Sequence, residues 1–290
     1  MRLLIKREDL IHPVVSGNKW HKLKYNLIEA RAQGFDTLLS FGGAYSNHIH
    51  ALAGAGHELG FKTIGVIRGE EYSPLNPTLQ FAVNHGMRLH YLCRSDYRRK
   101  TQPDIIRQLH EMFGNFYCIP EGGSNALAVK GCAEIAQNIE HHFNVICTAC
   151  GTGGTLAGLV AGLKGDKEAL GFAVLKDARF LLTQVTSLLE KSTGCSFSNW
   201  DINPDYHFGG YAKTNGELIG FINTFTSKHN ISLEPIYTGK MMYGIYDLIS
   251  HGYFQRGQTI LAVHTGGLQG LVGMQKRQGR QTLSQHSHCE

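Results

Sequence analysis

The sequence predicts a doubly wound α/β protein. Short apolar runs, such as residues 145–149, alternate with longer amphipathic stretches, and this alternation is typical of βα units that build a parallel sheet. Glycine-rich turns at residues 42–43 and 151–154 each follow an apolar run and precede a helical pattern. The chain of 290 residues, 42% of them hydrophobic, is long enough for one large domain or two smaller ones.

The period of the apolar residues defines each predicted element. Short runs rich in aliphatic residues indicate strands, and longer stretches with apolar residues three or four apart indicate helices. In chain order, the pattern predicts a strand at 37–41, a helix at 47–59, a strand at 62–67, a helix at 76–85, a strand at 88–92, a helix at 104–113, a strand at 145–149, a helix at 155–163 and a strand at 259–263. The segment 178–185 is ambiguous.

Composition excludes several classes of protein. No run of eighteen apolar residues exists, and the first residues reach charged side chains too soon for a secretory signal, so we expect a cytoplasmic protein without a membrane span. The seven cysteines are odd in number and scattered, which favours reduced thiols. Cys147 and Cys150 form a lone Cys-x-x-Cys whose first thiol lies in a buried strand, and we expect no metal site there.

The charge balance is modestly basic. A formal net charge of +5 with sixteen histidines suits a cofactor that carries phosphate and a substrate that carries a carboxylate. The tight basic cluster of Arg94 and residues 98–100 has a single neighbouring aromatic residue and is typical of a solvated helix end. We therefore expect no nucleic-acid partner.

Lys19 is the residue that most strongly indicates chemistry. It belongs to Ser16-Gly17-Asn18-Lys19, which follows an apolar and basic strand and comes just before a helix. An amine beside a glycine at such a place can capture a carbonyl group. A lysine there, taken alone, is more often a solvated surface charge, so the rest of the pattern matters.

The turn at residues 150–155 is the second chemical signal. It connects a predicted strand to a predicted helix, and the N-terminus of a helix offers unpaired amide hydrogens and the positive end of the dipole to a phosphate. No Gly-Lys-Ser/Thr follows, so the turn is not a Walker loop, and Leu156 occupies the third glycine of a dinucleotide turn. The first glycine-rich turn, at 42–43, leads to Ser46 and Asn47, which can cap the next helix.

Residues 6–10 followed by Ser16-Gly17-Asn18-Lys19 resemble the Schiff-base region of pyridoxal-phosphate enzymes with the tryptophan synthase β-like fold, fold type II. More narrowly, they resemble the family of D-cysteine desulfhydrase and 1-aminocyclopropane-1-carboxylate deaminase. The resemblance implies pyridoxal 5'-phosphate as cofactor, a homodimer, and two doubly wound domains with mainly parallel sheets. The large domain would comprise residues 1–24 and 119–290, and the small domain residues 25–118.

Two expectations concern the chain ends. Compared with that family, the chain begins abruptly at the strand that leads to Lys19, so a preceding segment would be short or missing. The polar stretch 276–290 predicts a disordered tail.

The resemblance also implies roles for the cofactor-binding residues. Lys19 would bind the cofactor covalently and later move the substrate's proton, and Lys22 would add a positive charge near the phosphate. The phosphate-binding loop would consist of Gly151, Thr152, Gly153, Gly154 and Thr155. Asn47 would hydrogen-bond the 3-hydroxyl oxygen of the ring, and Ser46 would contact the substrate carboxylate or assist proton transfer.

Four further positions match the family and bear on the substrate. Tyr211 and Tyr237 would line the substrate face, and Thr238 and Thr265 would lie beneath the ring nitrogen. Within the family, Glu and Leu at the last two positions go with the deaminase, whereas hydroxyl residues go with the desulfhydrase. Residues 120–127 also look closer to the desulfhydrase, although Glu121 has no assigned role.

The resemblance therefore implies a pyridoxal-phosphate-dependent lyase that acts on a small amino acid. The expected reaction is that of D-cysteine desulfhydrase, in which D-cysteine gives sulfide, pyruvate and ammonia. Three alternatives stay open at this point. One is ring opening of 1-aminocyclopropane-1-carboxylate by the deaminase reaction. The second is a non-catalytic protein that binds pyridoxal phosphate or another ligand on the same fold, and the third is an unrelated nucleotide-binding α/β protein.

Overall fold

A computed structural model describes residues 1–71 and 73–271. Its strands are β1 (Arg2–Arg7), β2 (Thr37–Gly42), β3 (Lys62–Arg68), β4 (Met87–Leu92), β5 (Tyr117–Ile119), β6 (Val145–Cys150), β7 (Glu168–Ala173), β8 (Trp200–Asn203) and β9 (Thr259–His264). Its α-helices are α1 (Asn18–Ala32), α2 (Asn47–Leu59), α3 (Pro77–Asn84), α4 (Arg94–Arg98), α5 (Pro103–Phe113), α6 (Ala126–Gln137), α7 (Gly154–Leu163), α8 (Phe180–Thr193), α9 (Gly216–His229) and α10 (Thr238–Ser250).

The chain divides into two compact units. The first contains Met1–Ile28 and Gly123–Gly266, and the second contains the described residues of Glu29–Gly122 together with residues 267–271. The domain boundaries implied by the resemblance, at residues 25 and 118, stay a prediction. The tail predicted at 276–290 lies outside the described residues.

The first unit contains a five-stranded parallel sheet in the order β1-β9-β6-β7-β8. Leu4 pairs with Leu261 at one edge, and Phe172 pairs with Asn203 at the other. Because all five strands run in one direction, their carboxyl ends lie at the same edge of the sheet. That edge is where open parallel sheets bind their ligands.

Helices cover both faces of this sheet. Strand β6 shows the alternation: Ile146 packs with α6, α7 and α8 on one face, whereas Val145 and Cys147 pack with α9 and α10 on the other. Both faces are buried, so the strand consists almost entirely of apolar residues, as strands of parallel sheets do. This is the doubly wound arrangement that the sequence predicts.

The second unit contains a four-stranded parallel sheet in the order β4-β3-β2-β5. One of its cores joins β2 and β3 to α4 and α5 through Leu39, Val66, Tyr97 and Leu109. Helix α2 packs against β2 and β3, with Ile49 and Leu52 fully buried. Among the described residues, no helix is long and apolar enough to span a membrane.

The elements predicted from the apolar period agree with the structure to within one residue at each end. The ambiguous segment 178–185 lies mostly in α8, which runs on to Thr193. The period left several elements without a prediction, namely β5, β7, β8, α4, α6, α9 and α10.

Three glycines let the helices of the first unit approach at backbone distance. A Cβ on Gly131 of α6 would lie 1.9 Å from the carbonyl oxygen of His21 in α1. On Gly158 and Gly162 of α7, a Cβ would lie 2.2 Å from the Cβ of Cys132 and 2.4 Å from the carbonyl oxygen of Ala133. Helix α6 is therefore packed tightly between α1, which carries Lys19, and α7.

We predict that Gly131→Ala destabilises the protein whereas Gly220→Ala does not. Overpacking against the His21 backbone costs about 1–3 kcal/mol. Gly220 lies in α9, and a Cβ there would meet nothing within 4 Å, so alanine gains up to about 1 kcal/mol of helix propensity. Urea unfolding followed by circular dichroism measures both. Equal midpoints for Gly131→Ala and wild type would contradict the close approach of α1 and α6.

Candidate active site

Lys19 lies in the first turn of α1, and the backbone before it is held against the end of β9. Gly17 has a φ of 67°, and a Cβ there would lie 2.0 Å from the carbonyl oxygen of Thr265, so only glycine permits this approach. The N–H of Asn18 donates to the same oxygen at 3.3 Å. Lys19 is thereby brought to the carboxyl edge of the first sheet.

The Lys19 amine is connected to the start of α7 by two hydrogen bonds. Its Nζ donates to Oδ1 of Asn18 at 3.2 Å, and Nδ2 of Asn18 donates to Oγ1 of Thr155 at 2.7 Å. Burial and, to a smaller extent, the charge of Lys22 lower the pKa of Lys19 to about 7. A large fraction of this amine is therefore neutral at neutral pH, as a nucleophile requires.

The turn from β6 to α7 leaves the N-terminus of α7 available to a ligand. Gly153 precedes the helix with a φ of 70°, and among the described residues no side chain caps this end. The first amide hydrogens of a helix have no partner within the helix itself, and the helix dipole favours an anion beside them. The turn can therefore hold a phosphate.

Three side chains that can donate hydrogen bonds meet beside this turn. Lys22 is 2% exposed, and its Nζ donates to Oγ of Ser124 at 3.0 Å and to Oγ1 of Thr152 at 3.4 Å. The two hydroxyl oxygens are 2.7 Å apart. A Cβ on Gly154 would lie 2.6 Å from Oγ of Ser124 and 3.1 Å from Nζ of Lys22, so glycine keeps room for this group.

Two tyrosines stand next to the same turn. The hydroxyl oxygens of Tyr237 and Tyr211 are 3.5 Å apart, and their rings meet edge to face with centroids 6.0 Å apart. A Cβ on Gly151 would lie 3.1 Å from the ring of Tyr237. The first unit therefore brings together Lys19, Lys22, the 151–155 turn and both tyrosines.

Thr238 begins α10 and is completely buried. Its hydroxyl accepts a hydrogen bond from the N–H of Glu234 at 3.1 Å and lies 3.2 Å from Oε1 of that carboxylate. Glu234 in turn accepts from the N–H groups of Tyr237 and Thr238 at 2.8 and 2.6 Å. Burial raises the pKa of Glu234. The carboxyl group therefore caps α10 and fixes the backbone of Tyr237.

Ser46 and Asn47 belong to the second unit. Ser46 is the N-cap of α2, where its Oγ accepts from the N–H of Ile49 at 3.3 Å. Oδ1 of Asn47 accepts from Nε2 of Gln269 at 3.0 Å. The capping role that the sequence indicates for Ser46 is present, and the cofactor and substrate roles of the two residues stay predictions.

The structure adds residues that sequence reasoning missed. Asn18 adjoins Lys19 and Glu234 lies four residues before Thr238, so both were near residues already singled out. Ser124 lies in the 120–127 stretch linked to the desulfhydrase, but its contact with Lys22 has no local signal in the sequence. Glu121, which had no assigned role, accepts a hydrogen bond from Tyr97 at 2.8 Å and forms an ion pair with Lys100 at 3.0 Å.

The cysteine pair lies in the interior of the first unit. Cys147 and Cys150 are both buried and unpaired by disulfides, and burial raises the pKa of Cys150 to about 12. Its thiol therefore keeps its proton at neutral pH. Within residues 1–71 and 73–271, no group of three or more His, Cys, Asp or Glu is placed to hold a metal ion.

Comparison with known proteins identifies the family. Residues 1–266 match the model of the family described as pyridoxal-phosphate-dependent enzymes. The chain belongs to this family. The resemblance that the sequence indicated is confirmed, the cofactor is pyridoxal 5'-phosphate, and the alternative of an unrelated nucleotide-binding protein is excluded.

Two relatives carry a provisional deaminase name, which agrees with the family of D-cysteine desulfhydrase and 1-aminocyclopropane-1-carboxylate deaminase that the sequence resembles. A Pyrococcus horikoshii protein provisionally named as that deaminase is 33% identical over 276 residues, which cover 92% of this chain and 84% of the relative. A Pyrococcus furiosus protein with the same provisional name is 33% identical over 283 residues, covering 92% of this chain and 85% of its own.

Solved structures agree with this assignment. The crystal structure of an ACC deaminase homologue matches with a TM-score of 0.81 and 31% identity, covering 92% of this chain and 85% of its own. A fungal L-serine ammonia-lyase from Rhizomucor miehei matches with a TM-score of 0.61 and 16% identity, covering 91% and 88%, which shows the fold alone. The pyridoxal-phosphate enzyme therefore has fold type II with two parallel sheets, as predicted.

The residues of the first unit fit this cofactor. An ammonium, two hydroxyls and the uncapped start of α7 converge where a Cβ on Gly154 would not fit, and such a donor set is suited to a phosphate dianion. Lys19, whose pKa is lowered to about 7, is suited to bind an aldehyde. The two features are joined through Asn18 and Thr155.

We predict that covalent loading of the apoprotein with pyridoxal phosphate follows the ionisation of Lys19. The pKa of Lys19 is lowered to about 7. The fraction of Lys19 in the neutral form, and with it the rate of loading, therefore rises about tenfold per pH unit below pH 7 and levels off above it. Stopped-flow absorbance from pH 5 to 10 measures the initial rate. Lys228→Ala, which removes an exposed lysine of α9, serves as control with an unchanged profile. A rate that keeps rising to pH 10 would contradict the prediction.

Proposed function

We propose that this protein is a pyridoxal-phosphate-dependent carbon–sulfur lyase of the D-cysteine desulfhydrase type. The reaction converts D-cysteine and water into pyruvate, ammonia and hydrogen sulfide. The Cα–H and Cβ–S bonds of the substrate break, and the sulfur leaves with the electron pair of the Cβ–S bond. Hydrolysis then releases the nitrogen as ammonia, and no oxidant or reductant is needed.

The hydroxyl residues at positions 238 and 265 are the observation that favours D-cysteine over 1-aminocyclopropane-1-carboxylate as the substrate. A carboxylate beneath the ring nitrogen would keep it protonated, whereas a hydroxyl can only share a hydrogen bond with it. The resemblance links hydroxyls at both positions to the desulfhydrase, and Glu and Leu to the deaminase. This chain has Thr238 and Thr265. A thiolate leaves readily, so its elimination tolerates the weaker activation that a hydroxyl gives.

In this proposal the cofactor's phosphate is held by Lys22, Thr152, Ser124 and the amides at the start of α7. The contacts among these groups support the assignment, because each is a hydrogen-bond donor and the only charge among them is positive. Charge-assisted hydrogen bonds of this kind are about twice as strong as neutral ones. These groups would hold the cofactor at the turn that Asn18 and Thr155 join to the Lys19 amine.

The bound cofactor supplies an electron-accepting ring that makes the substrate's α-proton acidic. Lys19 would hold the cofactor, and its Nζ, when free of the cofactor, would accept the substrate's α-proton. A pKa near 7 suits this base, because general bases work best near the operating pH. Tyr237 and Tyr211, whose hydroxyls are 3.5 Å apart, deliver a proton to the departing sulfur.

Further parts of the proposal rest on the resemblance. Ser46 is assigned to the substrate carboxylate or to proton transfer, Asn47 to the ring's 3-hydroxyl oxygen, and Thr238 and Thr265 to the ring nitrogen. The protein would act as a homodimer. Each of these assignments stays a prediction.

A second candidate function is the deaminase reaction, in which the cyclopropane ring of 1-aminocyclopropane-1-carboxylate opens to give 2-oxobutanoate and ammonia. The observation that favours it is the provisional name of the Pyrococcus relatives, which share 33% identity over most of the chain. The third possibility is a protein that binds the cofactor without turnover.

We predict that the purified protein loaded with pyridoxal phosphate has a visible absorption band and releases sulfide and pyruvate from D-cysteine. In Lys19→Ala the band is absent and the rate falls by a factor of about 10²–10⁴ or more, because the covalent link and the base are removed together. The exposed Lys228→Ala is the matched control. Parallel assays follow sulfide from D-cysteine and from L-cysteine, and 2-oxobutanoate from the cyclopropane substrate.

The outcomes separate the candidates. Sulfide as the dominant product supports the carbon–sulfur lyase function. 2-Oxobutanoate as the dominant product shows that the protein is a deaminase instead. Bound cofactor with no ammonia released from a panel of D- and L-amino acids would make the protein non-catalytic. A colourless wild type after cofactor addition would overturn the role of Lys19.

A further inference from the structure

Lys240 is a buried cation in the first turn of α10 that the proposed chemistry does not use. It is 0% exposed, which is rare for lysine unless its charge is compensated. Its Nζ donates to the carbonyl oxygen of His207 at 2.7 Å and to that of Gly210 at 2.8 Å. Burial lowers the pKa of Lys240 to about 8, and the charge of Glu234 opposes this. The amine therefore keeps its proton at neutral pH.

The two carbonyl groups belong to a tight loop at residues 207–213. The His207 oxygen also accepts from the N–H of Gly210 at 3.0 Å, and the Gly210 oxygen accepts from the N–H of Lys213 at 3.1 Å. Gly209 and Gly210 have φ values of 88° and 116°. This unusual path turns both carbonyl oxygens toward one point, and a positive charge at that point removes the repulsion between them.

The loop carries Tyr211, and the helix that carries Lys240 begins directly after Tyr237. The N–H of Tyr237 donates to Glu234 at 2.8 Å. The Glu234 carboxylate, which lies just before α10, therefore holds the backbone of Tyr237, and the Lys240 ammonium, in the first turn of α10, holds the backbone before Tyr211. In this arrangement the hydroxyls of the two tyrosines are 3.5 Å apart.

We infer that Lys240 is a positioning residue, whose ammonium serves as a built-in monovalent cation that holds Tyr211 against Tyr237. This inference rests on the proposed function for its effect on turnover. Its structural part, the hold on the 207–213 loop, does not depend on which substrate is used. Lys240 acts through Tyr211 and does not touch the reacting atoms.

The test is chemical rescue of Lys240→Ala. Removal of the side chain leaves a cavity and two carbonyl oxygens that a small cation can reach. We expect kcat to fall about 10–100-fold, as misplacement of a reacting group by about 1 Å does, while the cofactor's absorption band and affinity are kept because Lys19 and Lys22 are intact. Ammonium or potassium chloride restores kcat, and tetramethylammonium chloride at the same ionic strength does not.

Three matched variants complete the design. Lys228→Ala removes an exposed lysine and should respond to none of the salts. Lys240→Met keeps most of the buried stem but loses the charge, so kcat falls without rescue because the cavity is filled; this variant also serves if the alanine variant does not fold. Tyr211→Phe combined with Lys240→Ala should be no slower than the slower of the two single variants, since Lys240 works through Tyr211.

A second readout does not require activity. Trypsin cleaves after Lys213, which is exposed in the loop, and we expect Lys240→Ala to be cut at Lys213 several-fold faster than wild type, with ammonium restoring resistance. Wild-type kcat in Lys240→Ala, or a loss of kcat that tetramethylammonium restores equally well, would overturn the inference. If wild type has no turnover at all, the proposed function fails, and an unchanged rate of cleavage at Lys213 would then separately overturn the inference.

Discussion

The approach of Gly17 to the carbonyl oxygen of Thr265 is the contact on which the rest of the site depends. A side chain at position 17 would lie 2.0 Å from that oxygen, so the loop between β1 and α1 can follow this path only because it contains glycine there. The path places Lys19 at the carboxyl edge of the first sheet. It also orients Asn18, which joins the Lys19 amine to Thr155 at the start of α7.

Three lysines of the first unit, the half-buried Lys19 and the buried Lys22 and Lys240, have surroundings that give them different roles. Lys19 has a lowered pKa because of burial and the neighbouring charge of Lys22, so it is suited to nucleophilic attack. Lys22 contacts the hydroxyls of Ser124 and Thr152, beside the turn before α7, and is suited to bind an anion. Lys240 donates to two backbone carbonyl oxygens and stabilises the conformation of the 207–213 loop. The partner atoms, more than the residue type, separate these roles.

The sequence predicted those parts of the fold in which a strand or helix shows its own period. Strands β2, β3, β6 and β9 and helices α2 and α7 fall within one residue of the expected bounds. Strand β5 has three residues, too few to show a period. Helix α8 was ambiguous because only Leu181, Val185 and Leu189 of its fourteen residues are buried, and the segment read from the sequence ended at its second core residue.

The sequence predicted the site residues that belong to local motifs. It did not predict contacts between residues that are far apart in the chain. Lys19 and the 151–155 turn are visible in short stretches of sequence. Ser124 and Lys22 meet across 102 positions, and Lys240 meets His207 across 33, so neither contact has a local signal. Lysine near the start of a helix ordinarily indicates a solvated charge, which is why the buried Lys240 was not singled out.

One amine, that of Lys19, is proposed to bind the aldehyde of pyridoxal phosphate, and every other role in the site depends on it. Borohydride reduction of the loaded protein fixes the cofactor to whichever lysine holds it, and peptide mass mapping then locates it. We predict a single modified peptide with the added mass on Lys19. An unmodified Lys19, with the added mass on Lys22, on Lys240 or spread over several other lysines, would contradict this assignment.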